Sequence, residues 1–510
     1  MRRIDLADAG FLYAEKRQTP MHVGGLHLYS LPDGVNSSEF LAETIEILRT
    51  DEPYRKPFGE YVKSGRAGGL YWEKDKNFDI DYHVRHSGLP APGRYRELFM
   101  LISRLHGTLL ERSRPLWETH VIEGLQNRQF ALYMKMHHAA VDGASSMHMF
   151  NAMYSPDPSA KPRRSPLSLA AYEEYKSKVL ANRKVALVPA EKELRNVSEI
   201  LRAQFDTTSN LLGALRRFGS AYFDRGDGLT VPWRNVPLTS INAKVTGARR
   251  FVAQTWDFQR IRSVCKAANG TVNDIVLAMC GGALRRYLLA QGETPKHSLK
   301  AMTPVSLRAE DDLDSNNAVG FMVADLATNL DNPEAQLRRI QESMRAGKDL
   351  LKDLTARETM IFMAMAQAPA LLTSIAGLAS RFPMFNTVIS NVPGPQQQLY
   401  WNGARVDGLY PASIVFDGFA LNITLVSYNG QLHVGITACR SAMPHVQRLI
   451  DYLEDALQDL EAMCGFPVPA AASDKTGTAA GKAAKTKTTR KSTTSRRRKG
   501  GTPRPKDSAR

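Results

Sequence analysis

The chain has 510 residues, an apolar share of 43% and a formal net charge of +16. The length fits two sizeable domains, and the apolar share is that of an ordinary soluble globular protein. The charge is uneven: residues 471–510 carry 13 Lys and Arg against Asp474 and Asp507, a net +11 that leaves only +5 for everything before them, so the high pI says little about the folded body.

The first twenty residues contain basic side chains but no apolar run, so no signal peptide is expected. Val23–Tyr29 reads as a strand after the Thr19-Pro20 turn, and Ser38–Leu48 has helical spacing. Tyr71–Val84 reads as extended. The loop Leu89–Gly93 and a helix over Tyr95–Leu110 follow, with His106 placed structurally among that helix's apolar residues. Pro115-Leu116-Trp117-Glu118 precedes a strand at His120–Ile122, and a hairpin near Gln126-Asn127 leads into the next one.

That next stretch, Phe130–Phe150, organises the rest. Phe130, Leu132, Met134, Met136 and His138 fall on one strand face; Ala131, Tyr133, Lys135 and His137 fall on the other. If the extended geometry reaches that far, the two imidazoles point to opposite sides, and one of them at most faces a cavity. Its ordinary pKa of about 6.5 suits an imidazole to take a proton near neutrality. The apolar Met134, Met136, Met147 and Met149 either line a path for a flexible chain or are ordinary core.

Residues 155–247 read as a crossover: a Pro- and Ser-rich loop, a charged helical region and an irregular stretch. The second half offers a strand at Arg250–Trp256, helices at Phe258–Ala267 and Ile275–Leu289 with Asn273 placed as a cap, and strands at Lys300–Pro304 and Asn317–Ala327. Ile361–Ala379 has the length of a bilayer span but is interrupted by Gln367, Pro369, Thr373 and Ser374, and reads as two buried or interfacial helices broken near Pro369. Ser390–Gly394 is a strand end and turn. Phe419–Ala438 is a hairpin about Asn429-Gly430, and a last helix covers Pro444–Met463. The expected segments are 1–154, 155–247, 248–465 and a tail 466–510.

The tail, from residue 471 on, has no Val, Ile, Leu, Met or aromatic residue and is expected to be disordered. It reads either as an attraction to an anionic surface, phospholipid ahead of nucleic acid, or as a solubilising extension. Cys265, Cys280, Cys439 and Cys464 fit no metal-ligand spacing and read as reduced cytosolic thiols.

His137-His138-Ala139-Ala140-Val141-Asp142-Gly143 fills every fixed position of the HHxxxDG signature of CoA-dependent acyltransferases. With TPMHVGGLHLY, LPAPG, PLWETHVIEGL, TVNDIVLA, TPVSLR and SNVPGP, found in order between about residues 5 and 463, the chain resembles the bacterial wax ester synthase/acyl-CoA:diacylglycerol acyltransferase family. The resemblance implies an α/β fold of two chloramphenicol-acetyltransferase-like halves with an active-site channel between them. It also implies transfer of a fatty acyl group from acyl-CoA to diacylglycerol or a long-chain alcohol, with no cofactor and acyl-CoA entering as a substrate.

On that resemblance His138 is the general base and His137 supports the loop. Asp142 either anchors the loop or pairs with Arg308. Gly143 permits close backbone approach. Asn273 either caps its helix or stabilises an oxyanion, and Asp274 is structural. Pro115, Leu116 and Trp117, with Asn391, Pro393 and Gly394, shape the channel walls. The implied location is cytoplasmic, in contact with an anionic membrane face or lipid inclusions; nucleic acid is not an expected partner. Two other readings stand beside this one: an acyltransferase with another alcohol acceptor, and a non-catalytic lipid-body or nucleic-acid-binding protein.

Overall fold

The computed structural model describes residues 1–50, 53–65, 68–141, 143–161, 164–181, 209–223, 228–294, 296–306, 319–352 and 354–467. The basic tail, and the disorder expected of it, lies outside the described residues.

Fifteen strands are found among them. Seven lie early: β1 (Arg2–Arg3), β2 (His22–Ser30), β3 (Glu60–Ser64), β4 (Leu70–Lys74), β5 (Val84–Gly88), β6 (Trp117–Glu123) and β7 (Gln129–His137). Eight follow: β8 (Arg249–Asp257), β9 (Lys300–Ser306), β10 (Val319–Asp325), β11 (Thr387–Pro393), β12 (Tyr400–Trp401), β13 (Ala404–Ala412), β14 (Leu421–Tyr428) and β15 (Gln431–Cys439). They form two six-stranded sheets, ordered β12-β13-β2-β7-β6-β5 and β10-β9-β11-β14-β15-β8, and a small sheet β1-β4-β3.

The first large sheet takes β12 and β13 from the far end of the chain. β13 runs antiparallel to β2, and Asp407 fixes it there by accepting from Ser30 Oγ (2.6 Å) and Gln129 Nε2 (2.8 Å). The helix Tyr95–Gly107 joins the sheets in turn: Leu98 and Ile102 pack with Ala131 and Tyr133 of β7 and with Phe251 of β8, and the Phe251 N–H donates to Ser103 Oγ at 2.8 Å. On the second sheet the helices Val272–Ala290, Pro333–Leu351 and Arg448–Met463 bury the largest apolar cluster.

Turn chemistry sets the register. Asn429 and Gly430, both at positive φ, close the β14–β15 hairpin. Asn127 and Arg128, also at positive φ, return β6 into β7. Ile361–Ala379 is not a broken pair: one helix runs Ala356–Ile375 with Pro369 inside it on the exposed side, held down by buried Ile361, Phe362 and Met363. The group that loses its helical donor is the carbonyl four residues back, of the exposed Met365, so the penalty is one lost backbone bond on the solvent side of the helix. Among the described residues no helix is long and apolar enough to cross a membrane. All four cysteines are free thiols.

Candidate active site

The alternation read along β7 is the alternation found. Phe130, Leu132, Met134 and Met136 enter the cluster containing Phe40, Trp72 and Trp117, while Ala131 and Tyr133 face the helix Tyr95–Gly107. Met134, Met136 and Met149 are buried in that first cluster. The strand ends at His137, and 138–140 form a turn closed by the Ala140 N–H on the His137 carbonyl (2.9 Å). Strand alternation therefore stops one residue before His138.

His137 is wholly buried. Its backbone N–H donates to the Leu116 carbonyl (3.0 Å), and its Nδ1 accepts the Ala139 N–H (3.1 Å). The Nε2 edge lies 3.4 Å from Glu15 Oε1, an ion-pair separation longer than an ordinary hydrogen bond. Glu15 also accepts the Met21 N–H (3.2 Å) and pairs with Arg112 (3.0 Å). Burial alone would raise its carboxyl, but His137, the Met21 N–H and Arg112 together hold it below the ordinary value.

His138 is set differently. Its N–H donates to the Met21 carbonyl (2.8 Å), its ring stacks on Phe11 with centroids 4.1 Å apart and planes at 11°, and it is only partly buried. The helix Leu6–Ala14 carries Phe11, and Glu15 follows its last residue, so one helical turn supplies both the stacking face for His138 and the carboxylate beside His137.

Further along the β7 face that carries His137 lies a buried polar bed. Lys135 Nζ pairs with Glu118 (3.1 Å) and donates to the carbonyls of Leu105 and Thr108 (3.1 Å each). Burial opposes charge on Glu118, but His120, Lys135 and Arg85 overcome it and bring its pKa down to about 2. His106 binds Tyr133 Oη (2.7 Å) and the Ser413 carbonyl (2.9 Å), and burial pushes it down to about 3; the buried His22 is likewise held well below the ordinary imidazole value. These rings are neutral at physiological pH.

In the second sheet, β11 ends in the Ser390–Gly394 stretch. Asn391 Nδ2 donates to Asn273 Oδ1 at 2.8 Å, which joins two motifs 118 residues apart and turns the Asn273 amino group away from Asn391. Asn391 Oδ1 is buried and has no hydrogen-bond partner among the described residues. Next to it, Val392 packs against the cluster that buries Ala139, Ala140 and Val141, so this strand end and the HHAAVDG turn share one apolar patch. A Cβ on Gly394 would lie 2.5 Å from the Ser427 carbonyl, which is why a glycine is needed at this turn.

The capping expectation for Asn273 does not hold. The helix begins at Val272 with Thr271 as its cap: Thr271 Oγ1 accepts the Asp274 N–H (3.3 Å), and Asp274 Oδ2 accepts the Thr271 N–H (2.8 Å). With that reciprocal box filled, the Asn273 amide is free for Asn391. Leu116 receives the His137 N–H, and Trp117 is buried with Nε1 donating to the Phe58 carbonyl (2.8 Å) and its ring against His83. Gly143 begins the helix Gly143–Met153. Asp142 and Arg308, and the pairing suggested between them, lie outside the described residues. No group of three His, Cys, Asp or Glu among the described residues is placed to hold a metal.

Nothing in the sequence pattern marks Phe11 or Glu15, and Met21 stands out only as part of TPMHVGGLHLY. Glu15 is an ordinary surface-type residue by spacing; only the fold carries it 122 positions to His137.

Two mixed six-stranded sheets, the first completed by β12 and β13 from the later half of the chain, with HHxxxDG leaving an inner strand of that sheet, define the CoA-dependent acyltransferase class of fold. The first condensation domain of a calcium-dependent antibiotic synthetase has the same fold at 14% identity, with a TM-score of 0.58 over 92% of this chain and 98% of that one. More specifically, residues 5–276 match the wax ester synthase/diacylglycerol acyltransferase catalytic domain, and 315–461 match the WS/DGAT C-terminal domain. The chain belongs to the wax ester synthase/diacylglycerol acyltransferase family. It is 39% identical to O-acyltransferase WSD of Acinetobacter baylyi over 91% of this chain and 98% of that one. It is 42% identical to a probable diacylglycerol O-acyltransferase of Mycobacterium tuberculosis over 90% and 98%. A wax ester synthase/diacylglycerol acyltransferase structure from Marinobacter aquaeolei VT8 matches with a TM-score of 0.72 at 38% identity, over 91% of this chain and all of that one.

Proposed function

We propose that this chain, an O-acyltransferase by family, uses His138 as general base to move a fatty acyl group from acyl-CoA to the hydroxyl of diacylglycerol or a long-chain alcohol. The observation that carries the assignment is the contrast between neighbours. His137 is wholly buried, with its ring accepting the Ala139 N–H, whereas His138 at the turn is only partly buried, its backbone N–H on the Met21 carbonyl and its ring stacked on Phe11.

In this reading residues 1–154 and 248–465 each supply a wall of a channel, and 155–247 connects them. The alcohol oxygen attacks the thioester carbonyl while His138 removes its proton; the C–S bond breaks, and the imidazolium returns the proton to the CoA thiolate. Help of this kind is worth about a hundred- to ten-thousand-fold. Transfer is direct, with both substrates bound together. Asn273, oriented by Asn391, supplies an N–H to the oxygen that becomes negative. His137 and Glu15 hold the turn. The lipid substrates and the sequence of the basic tail support work at the cytoplasmic face of an anionic membrane or at lipid inclusions.

The test is release of CoA thiol with hexadecanol and with dioleoylglycerol as acceptors, wild type beside His138→Ala. Ester formation that depends on His138 supports the reading; equal rates in the two proteins reject it.

A further inference from the structure

The helix Ser209–Tyr222 has two unlike faces. Leu211, Ala214, Phe218 and Ala221 turn inward, with the Phe218 ring 5.5 Å from Phe362 of the helix Ala356–Ile375. The outward face holds Leu212 and, one turn on, Arg216, and Phe223 follows directly after the last helical residue. An outer helix face is ordinarily polar, yet Leu212 is 57% and Phe223 74% exposed.

Two further segments meet the end of this helix. Arg234 donates to the Ala221 carbonyl (2.8 Å), the Trp233 N–H to the Met384 carbonyl (3.0 Å), and Asn386 Nδ2 to the Pro237 carbonyl (2.7 Å). These bonds draw together Tyr222 and Phe223, Leu238, and the turn carrying Leu378 and Phe382, whose exposures are 43%, 74%, 63%, 36% and 59%. The described parts of 209–239 and 376–386 hold Arg216, Arg217, Arg234 and Arg381 and no acid, while Glu293, from another element, accepts the Ser240 N–H two residues past Leu238 (2.9 Å). Residues 224–227, outside the described residues, add Asp224, Arg225 and Asp227 in sequence, which leaves the region net positive.

Large side chains standing out of a rim of guanidinium groups match the boundary of an anionic bilayer, where rings enter the acyl layer and cations meet phosphate. We infer that this corner is the surface by which the protein docks on an anionic phospholipid membrane. The inference rests on the acyltransferase reading for its purpose, since it brings the protein to lipid acceptors, but its geometry is independent of His138.

Full-length wild type is compared with Phe223→Ser, Phe382→Ser and Leu238→Ser, singly and combined, by co-sedimentation with vesicles of equal parts phosphatidylglycerol and phosphatidylcholine. The exposed positions keep at least the single variants folded, as thermal unfolding will check. The combined variant is expected to partition about tenfold less or lower, the loss expected when apolar rings no longer leave water. Arg216→Glu with Arg381→Glu should weaken binding to these vesicles and leave binding to pure phosphatidylcholine unchanged. Thiol release with a short alcohol in detergent micelles should be unaffected in all of them. Wild-type binding by the folded Phe and Leu variants overturns the inference, as does a dimer in light scattering that they abolish while vesicle binding persists. If the wild type gives no turnover in micelles, the acyltransferase reading fails while the vesicle comparison still decides the surface.

Discussion

β7 and β11 are inner strands of the two large sheets, and their ends are furnished differently. Around β7 the chain buries ionisable side chains: His137 beside Glu15, Lys135 beside Glu118, and His22 and His106. At the end of β11 it places neutral amides, with Asn391 on Asn273. An amide keeps its hydrogen-bonding pattern at every physiological pH; an imidazole or carboxylate does not. The proposed chemistry divides along that line: proton transfer belongs to the first sheet, and fixed dipoles for a developing negative charge belong to the second.

The sharpest break is His138→Ala, expected to lower thiol release about a hundred- to ten-thousand-fold while shifting the unfolding free energy by about 1 kcal/mol or less. Next comes Lys135→Met, which removes one charged partner of the buried Glu118 while Arg85 and His120 remain, and should cost about 1–3 kcal/mol in denaturant unfolding. Adding Glu118→Leu should recover most of that loss. On the amide side, Asn273→Ala is expected to lower kcat about a hundredfold, the size of losing one oxyanion donor, with little change in stability.

The most gradual effect is titration. Burial brings His27 and His106 down to about 3 and His83 to about 4. Their folded pKa values lie below the unfolded one, so the unfolded chain takes up protons first. Stability from these groups is therefore complete above about 6.5 and should fall on the order of 1 kcal/mol per residue per pH unit below it. Glu118, down to about 2, adds a loss between its unfolded value and that figure. Unfolding followed across pH should show this acid sensitivity in probes of the first sheet.

Periodicity made much of this legible. Alternation along β7, the Asn429-Gly430 turn and the spacing of the last helix are local signals, and each gave its element. The motif also picked out the two histidines. What local pattern does not carry is distance along the chain: β13 completing the first sheet, Phe11 stacking on His138, and Asn391 reaching Asn273 all depend on closures over more than a hundred residues. Asn273 has the side chain of a strong cap residue, yet Thr271 with Asp274 three positions on is the stronger capping signal and the one the helix uses. Pro369 signals a break in sequence but sits within one helix, because sequence does not say which side of a helix faces water.

The assignment of the proton to His138 is tested most directly by the pH dependence of kcat/KM for thiol release, wild type beside His138→Ala. The account predicts that the wild-type rate rises through a single ionisation as pH increases and that the variant's residual rate loses that limb. A variant that keeps the limb at the wild-type rate would contradict it.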